Sequence, residues 1–100
     1  MILDFTSVRM DQPLAIEVHG DVLKLNGASL DFSLLPEGGV LPWDAIDSPW
    51  IGSGATRKNG QVRVTVVLPC GPNAPETRRF CPTRSVTDNG PVKLPPFGED

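Results

Sequence analysis

The stretch that decides the fold is Gln61-Val62-Arg63-Val64-Thr65-Val66-Val67-Leu68-Pro69. Its polar side chains alternate with four apolar ones, which gives a period of two with one apolar face. Its β-branched valines suit the pleated, half-buried surface of a strand. Asn59-Gly60 just before it is typical of a hairpin turn, because both central residues of a type I′ turn need a positive φ. Pro69 cannot donate to a ladder and is expected to end this central strand.

The segment 13–33 predicts a three-stranded antiparallel meander. Gly20-Asp21 and Asn26-Gly27 are two-residue turn sequences, and the first has its glycine leading, as a type II′ turn prefers. With these turns Glu17 faces Lys24 across the first hairpin. One face of the meander then collects Leu14, Ile16, Val18, Leu23, Leu25, Ala28, Leu30 and Phe32. A slip of one residue would scatter this set over both faces, so the register is well specified.

The other predicted elements are shorter. We expect further strands from residues 2–9, 50–57 and 80–94, and a loop over residues 70–79. Gly52 and Gly54 within the second of these strands indicate a bulge or a close backbone approach. Pro42 favours one helical turn near residues 42–47, because its missing N–H costs nothing at the first helical position. Trp43, Ile46 and Trp50 would then plug one open end of the core.

Composition and periodicity together predict a small all-β fold, an antiparallel β-sandwich with at most one short helical turn. Eleven prolines and ten glycines in 100 residues argue against long helices. We expect one sheet to hold the meander and the N-terminal strand, and the other to hold 50–57, the central strand and a piece of 80–94. A partly open β-barrel is the alternative. Residues 1–97 are predicted to form a single domain, and residues 98–100 a flexible tail.

Charge is distributed unevenly along the chain, whose formal net charge is −3. Residues 1–49 carry eight acids and two bases, whereas residues 50–98 carry seven bases and two acids. One interpretation is a sandwich whose two sheets have outer faces of opposite sign. The other is a dipolar surface that docks repeating copies or a charged partner.

Several classes of protein are not expected from this sequence. No apolar run approaches the ~18 residues that a membrane span needs, and the N-terminus has no basic region or cleavage site of a signal peptide. We therefore expect a cytoplasmic protein without a membrane segment. Cys70 and Cys81 are expected to stay reduced, and two thiols with one histidine cannot make a closed zinc site. No metal or other cofactor is predicted.

Two loops supply the candidate partner-binding residues. The first carries carboxylates beside aromatic rings, which could bind a sugar or a cation, or could merely cap a helical turn: Trp43, Asp44, Asp47 and Trp50. The second is Arg78-Arg79-Phe80, a basic segment with a ring that could stack on a nucleic-acid base. The acidic overall charge, the absence of tyrosine and the lack of an RNA-binding aromatic pattern favour a protein partner instead.

No catalytic residue is predicted. His19, the one histidine, falls at a predicted turn on the polar face, and catalysis would need a nucleophile or a carboxylate beside it. Nothing in the sequence brings it to Cys70 or Cys81 for nucleophilic chemistry. Gly52-Ser53-Gly54 lacks the third glycine and the following helix of a phosphate-binding loop. We therefore do not expect an enzyme.

Several loop and turn peptides are similar to those of small bacterial proteins of about this size that are encoded in prophages near tail genes. These peptides are Leu35-Pro36-Glu37-Gly38, Ala45-Ile46-Asp47-Ser48-Pro49-Trp50, Leu68-Pro69, Gly71-Pro72-Asn73-Ala74-Pro75-Glu76-Thr77-Arg78, Asp88-Asn89-Gly90-Pro91-Val92 and Leu94-Pro95-Pro96. The resemblance spans most of residues 20–97, but its motifs carry no chemistry and imply a role by association only.

The resemblance implies a non-enzymatic structural or assembly protein of a prophage tail module that acts by protein–protein docking. Its partners would be other phage proteins or further copies of itself. Its place would be the host cytoplasm, or a virion into which it is incorporated. The alternative function is a small glycan- or peptide-binding module that uses Trp43, Trp50 and the adjacent acids.

Overall fold

The computed structural model describes residues 1–98. Nine strands occur in this range: β1 Ile2–Arg9, β2 Ile16–His19, β3 Val22–Leu25, β4 Ala28–Asp31, β5 Val40–Leu41, β6 Ala55–Lys58, β7 Gln61–Cys70, β8 Arg84–Ser85 and β9 Gly90–Pro91. They form a five-stranded sheet, β5-β6-β7-β1-β8, and a four-stranded sheet, β4-β3-β2-β9. Side chains from both sheets share one apolar core. The predicted small all-β fold is confirmed, and the described sheets do not close into a barrel.

The predicted meander is confirmed in its register. β2 and β3 pair with Glu17 opposite Lys24, and β3 and β4 pair with Leu23 opposite Leu30. Six of the eight apolar side chains on the predicted inner face are buried: Leu14, Ile16, Val18, Leu23, Leu25 and Phe32. Leu30 is half-buried and Ala28 is exposed, because both lie on the edge strand β4.

The central strand β7 presents its alternate residues to the core as predicted. Val62, Val64, Val66 and Leu68 are all at most 1% exposed. Asn59 and Gly60 have φ values of 54° and 77°, as a type I′ turn requires, and they set Thr56 opposite Arg63. The pairing then slides by two residues, so that Ile51 bridges Val66. The slide confirms the predicted bulge, and Gly54 lies in it with room for no side chain.

Pro69 does not end the strand as predicted, because β7 runs to Cys70. Val67 donates its N–H to Trp50 O on the β6 side of the sheet, and Pro69 faces that same side two residues later. No strand pairs with β7 on that side beyond this bond within the described chain. A proline is tolerated there because no partner carbonyl needs its N–H.

The N-terminal strand lies in the other sheet from the one predicted. β1 pairs in parallel with β7, with Leu3 opposite Val64 and Phe5 opposite Val66. The alternation of β1 correctly sets which side chains face inward, but alternation does not specify a partner strand. A parallel partner about 60 residues away in the sequence leaves no turn signal between the two strands.

The second half of the chain contains less strand than predicted and one more helical turn. The expected turn after Pro42 is a 3-10 turn at Trp43–Ala45. A one-turn α-helix, α1, occupies Glu76–Arg79, where a loop was predicted. Of residues 80–94, only β8 joins the five-stranded sheet, while β9 pairs with β2 in the meander sheet. Elements of two to four residues are too short to show a hydrophobic period in the sequence.

The C-terminal segment is docked at Gly98, where the flexible tail was predicted to begin. Gly71 donates its N–H to Phe97 O at 2.8 Å, and Asn73 donates to Gly98 O at 2.8 Å. Gly98 has a φ of 87°. Residues 99–100, the rest of the predicted tail, lie outside the described residues.

We expect Gly98→Ala to release this segment and to lower the free energy of unfolding by about 1–3 kcal/mol. A Cβ there would overlap the backbone of Ala74, and the φ is one that alanine rarely adopts. Urea denaturation measures the change. Gly52→Ala is the milder control, since its Cβ would meet only side-chain methyl groups, the nearest at 3.1 Å. Equal losses for the two variants would contradict the prediction.

Candidate docking surfaces

Arg57 organises one end of the sandwich. Its guanidinium donates to Phe32 O at 3.0 Å, to Leu35 O at 2.6 Å and to Gly60 O at 3.0 Å. It also pairs with the Asp21 carboxylate at 3.1 Å, and its side chain is only 12% exposed. One side chain therefore ties the first meander turn, the loop after β4 and the β6–β7 turn together. No local sequence pattern marks this role, because the acceptors converge from three separate segments of the chain.

Glu37 fixes the next part of the same loop. Its carboxylate accepts the Asn59 and Gly60 N–H groups at 2.9 and 2.7 Å. The segment 32–37 is thus held at several points, by Arg57 and by Glu37. The backbone of this segment is fixed before any partner binds. Less conformational entropy of the loop is therefore lost when its exposed side chains contact a partner.

An apolar groove of about 380 Å³ lies along this segment. We call it the Leu34 groove; it is lined mainly by Asp31, Phe32, Leu34, Leu35, Val40 and Leu41. It lies between β4 and β5, which are the edge strands of the two sheets. Leu34 is 95% exposed and Val40 is also exposed, so apolar area faces solvent on a clamped loop. A hydrogen bond from the Ser33 N–H lowers the pKa of Asp31 and keeps its carboxylate ionised at the rim.

The predicted first-loop residues are divided by the structure. Trp43 is 59% exposed and follows Leu41, a residue that lines the Leu34 groove, by two positions. Its indole N–H donates to Ile51 O at 2.9 Å. Asp44 and Asp47 are exposed. Trp50 is only 7% exposed and joins Ile46 in the core as predicted, but Trp43, which was predicted to plug the core with them, does not. Trp50 is therefore corrected from a binding residue to a core residue, and the two tryptophans form no shared sugar platform.

Arg78 is buried rather than solvated, being 3% exposed. It donates to Pro69 O at 2.9 and 2.7 Å and to Pro95 O at 2.9 Å, with its guanidinium 5.6 Å from the Phe97 ring centroid. It therefore fastens the C-terminal segment to the end of β7 and does not face a partner. The sequence does not distinguish Arg78 from its exposed neighbour Arg79. The helical turn places these adjacent residues on different sides, so that one is buried and the other is exposed.

Arg79 and Phe80 are exposed, as predicted, at the end of α1. Phe80 is 75% exposed, its N–H donates to Glu76 O at 2.8 Å, and the Arg79 guanidinium lies 5.8 Å from its ring centroid. Beside them is an open depression of about 550 Å³ that Val8, Arg9 and Arg79 help to line. We call Val8, Arg9, Arg79 and Phe80 the Phe80 surface. It combines apolar area with positive charge.

The Leu34 groove and the Phe80 surface lie at opposite ends of β7. Arg57, which holds the groove loop, pairs with Val62 near the start of this strand. Arg78, whose helix carries Phe80, bonds to Pro69 near its end. Seven residues of strand separate these anchors, which corresponds to about 23 Å. The Asp31 carboxylate lines the Leu34 groove, and the Phe80 surface carries the exposed guanidinium of Arg79.

The side chains with reactive groups are one histidine and two thiols, and Cys70 also lines the depression beside the Phe80 surface. His19 ends β2, and its Nε2 lies 3.8 Å from a Glu17 carboxylate oxygen. Cys70 and Cys81 are free thiols, and Cys70 is buried with its Sγ 3.7 Å from Leu68 O. Burial raises the pKa of the Cys81 thiol, which lowers its fraction of reactive thiolate.

The outer face of the five-stranded sheet carries an ordered ion pair. Arg63 donates to both Asp4 oxygens, at 2.7 and 3.0 Å, and Thr83 donates to the same carboxylate. The hydrogen bonds from Arg63 and then from Thr83 hold the pKa of Asp4 below its usual value. A carboxyl group with a lowered pKa in the folded state stabilises the fold above its unfolded pKa of about 3.9. That stabilisation is lost as the pH falls through the folded pKa.

We therefore expect the urea midpoint of the wild-type protein to fall in acid by more than that of Asp4→Asn. The extra decrease in the midpoint should occur at and below pH ~4. It should be absent at neutral pH, where the Asp4 carboxylate is ionised in both the folded and the unfolded protein. Urea denaturation at several pH values measures it. Asp11→Asn, at a carboxylate that is 91% exposed, is the control and should keep the wild-type profile. Parallel profiles for wild type and Asp4→Asn would contradict the interpretation.

Two further kinds of feature are absent from residues 1–98, a metal-binding cluster and a helix suited to span a membrane. No cluster of three or more histidine, cysteine, aspartate or glutamate side chains suited to a metal ion occurs there. No helix in that range has the length and apolar character to cross a membrane. No family model matches this chain, and neither the curated proteins nor the solved structures give a match.

Proposed function

We propose that this protein is a non-enzymatic structural or assembly protein that acts by docking onto other proteins. The observation that carries the proposal is Leu34, a leucine that is 95% exposed on a backbone clamped by Arg57 and Glu37. An apolar side chain on a mobile loop needs no explanation, since single exposed apolar residues are common. One held rigidly beside an apolar groove supports a role in contact with a partner.

The proposed setting is a prophage tail module, with phage proteins or further copies of the chain as partners. It is supported by the similarity of the loop peptides, several of which have structural roles here. Glu37 holds the β6–β7 turn, and Gly71 with Arg78 receives the C-terminal segment. The host cytoplasm or a virion is the proposed location.

Co-expression with the proteins encoded beside its gene tests this proposal. We expect a defined complex in size-exclusion chromatography with light scattering, either of the chain with a neighbour or of the chain with itself. Leu34→Ser should abolish it, whereas Gln12→Ser, at an exposed turn residue that lines neither the groove nor the depression beside Phe80, should not. A strict monomer that co-purifies with none of these neighbours would count against the docking function.

A further inference from the structure

We propose that the protein assembles head to tail with itself, the Phe80 surface of one copy seated in the Leu34 groove of the next. This inference rests on the proposed docking function and names its partner as a second copy of this chain. It follows from charge, shape and the placement of the two surfaces.

Charge around the two surfaces is opposite in sign. The Asp31 carboxylate lines the Leu34 groove, and the exposed acids Glu37 and Asp44 precede and follow β5 in the sequence, with Lys58 as an exposed base on β6. The Arg57 charge there is matched by Asp21. At the other end the exposed guanidinium of Arg79 lies 5.8 Å from the Phe80 ring centroid, with Glu76 as an exposed acid in the same helical turn. Arg9 is already paired with Asp11 at 2.8 Å, which leaves Arg79 as the main cation of the Phe80 surface.

This distribution selects one arrangement of two copies. Head-to-tail contact brings Arg79 of one copy toward Asp31 and Asp44 of the next, which is attractive. Contact between two equal ends brings like charges together and is penalised.

Shape agrees with the same arrangement. A single aromatic ring in an apolar pocket is the usual centre of an interface that binds well. Phe80 is exposed yet held by its own N–H bond to Glu76 and by the Arg79 guanidinium over its ring. The groove of about 380 Å³ has room for such a ring between Leu34 and Val40. Both partners are thus ordered before they meet, which reduces the entropy lost on association.

The two surfaces are different and lie at opposite ends of β7, so the contact is heterologous. Each copy that uses its Phe80 surface keeps its Leu34 groove free for another copy. Such contacts continue into a ring if the rotation closes and into an open filament if it does not. A two-fold dimer, in which one patch meets itself, does not use both surfaces in this way.

Sedimentation over a wide concentration series tests self-association. We expect the average mass of the wild type to rise with concentration and to fall with added salt, because the paired charges are exposed. Leu34→Ser and Phe80→Ser should each weaken association at least about tenfold, which is 1.4 kcal/mol. Both side chains are exposed, so folding should be unaffected, and Gln12→Ser is the control.

Mixing the two variants tests the head-to-tail arrangement itself. Leu34→Ser keeps an intact Phe80 surface and Phe80→Ser keeps an intact groove, so together they can form one contact. We expect a one-to-one heterodimer in the mixture and no larger species. A wild type that is monomeric at every concentration, association that survives both substitutions, or variants that fail to complement would each overturn the inference.

The two levels of proposal fail in different ways. A monomer that still binds a neighbouring tail protein through Leu34 would overturn self-assembly and retain the docking function. A monomer that binds neither itself nor a neighbour would overturn both.

Discussion

Replacing Arg78 by leucine is expected to lower the free energy of unfolding by about 3–5 kcal/mol, the largest loss we predict for any single substitution. The guanidinium is buried and donates three hydrogen bonds to the carbonyl groups of Pro69 and Pro95. Leucine leaves these acceptors buried without partners, and each unsatisfied group costs about 1–3 kcal/mol. A domain of this size has only about 5–15 kcal/mol of stability in all.

Urea denaturation of three variants measures this effect. Arg79→Leu is the matched control, because Arg79 is exposed on the same turn and its guanidinium contacts only the Phe80 ring among residues 1–98. Arg78→Lys should fall between them, since one ammonium cannot reproduce the planar fork of donors. The amide N–H groups of Gly71 and Asn73 bond to carbonyl groups of the C-terminal segment. These two amides should therefore lose their hydrogen-exchange protection when the segment is released. Equal stabilities for the leucine variants of Arg78 and Arg79 would show that the buried guanidinium is not the anchor.

Replacing Arg57 by leucine is expected to cost about 2–4 kcal/mol and also to abolish association through the Leu34 groove. The Leu35 and Gly60 carbonyl groups lose the Arg57 donor, and the Asp21 carboxylate loses its ion pair. The Phe32 carbonyl loses one of its donors and keeps the Leu35 N–H. The estimate is lower than for Arg78 because the side chain is partly solvated and water can replace some of these bonds. The loop that presents Leu34 would become mobile.

Arg63→Leu is the matched control for this second effect. Its ion pair with Asp4 joins neighbouring strands on an open face of the sheet, where solvent screening leaves such pairs little effect on stability. Sedimentation under conditions where each variant is folded separates stability from association. If Arg57→Leu associates as the wild type does, the clamped loop is not what organises the docking surface.

Much of the fold is predictable from sequence because the turns are local. Gly20-Asp21, Asn26-Gly27 and Asn59-Gly60 each fix a hairpin register within two residues, and the alternating apolar side chains fix which face is buried. The partner of β1 was predicted wrongly because a parallel pair carries no such local signal. The α1 turn was missed because four residues have no measurable period.

The candidate surfaces were predictable only in part. Trp43, Asp44, Asp47, Arg79 and Phe80 are exposed as expected. Trp50 and Arg78 are buried, although each resembles its exposed neighbours in chemistry. Leu34 was not singled out, since a leucine between two apolar segments is normally a core residue. Only the clamp by Arg57 and Glu37 makes its exposure meaningful.

The sequence by itself determined that this chain is a β-sandwich, which side chains fill its core, and that its charge is divided between its two halves. These properties depend on neighbours in the chain, through alternation and tight turns. Only the tertiary structure decided which arginines are buried and bind backbone carbonyl groups and which face solvent. It also decided that the two apolar surfaces lie at opposite ends of β7. A guanidinium is bound by carbonyl groups from segments far apart in the sequence, and no local pattern records where those groups converge.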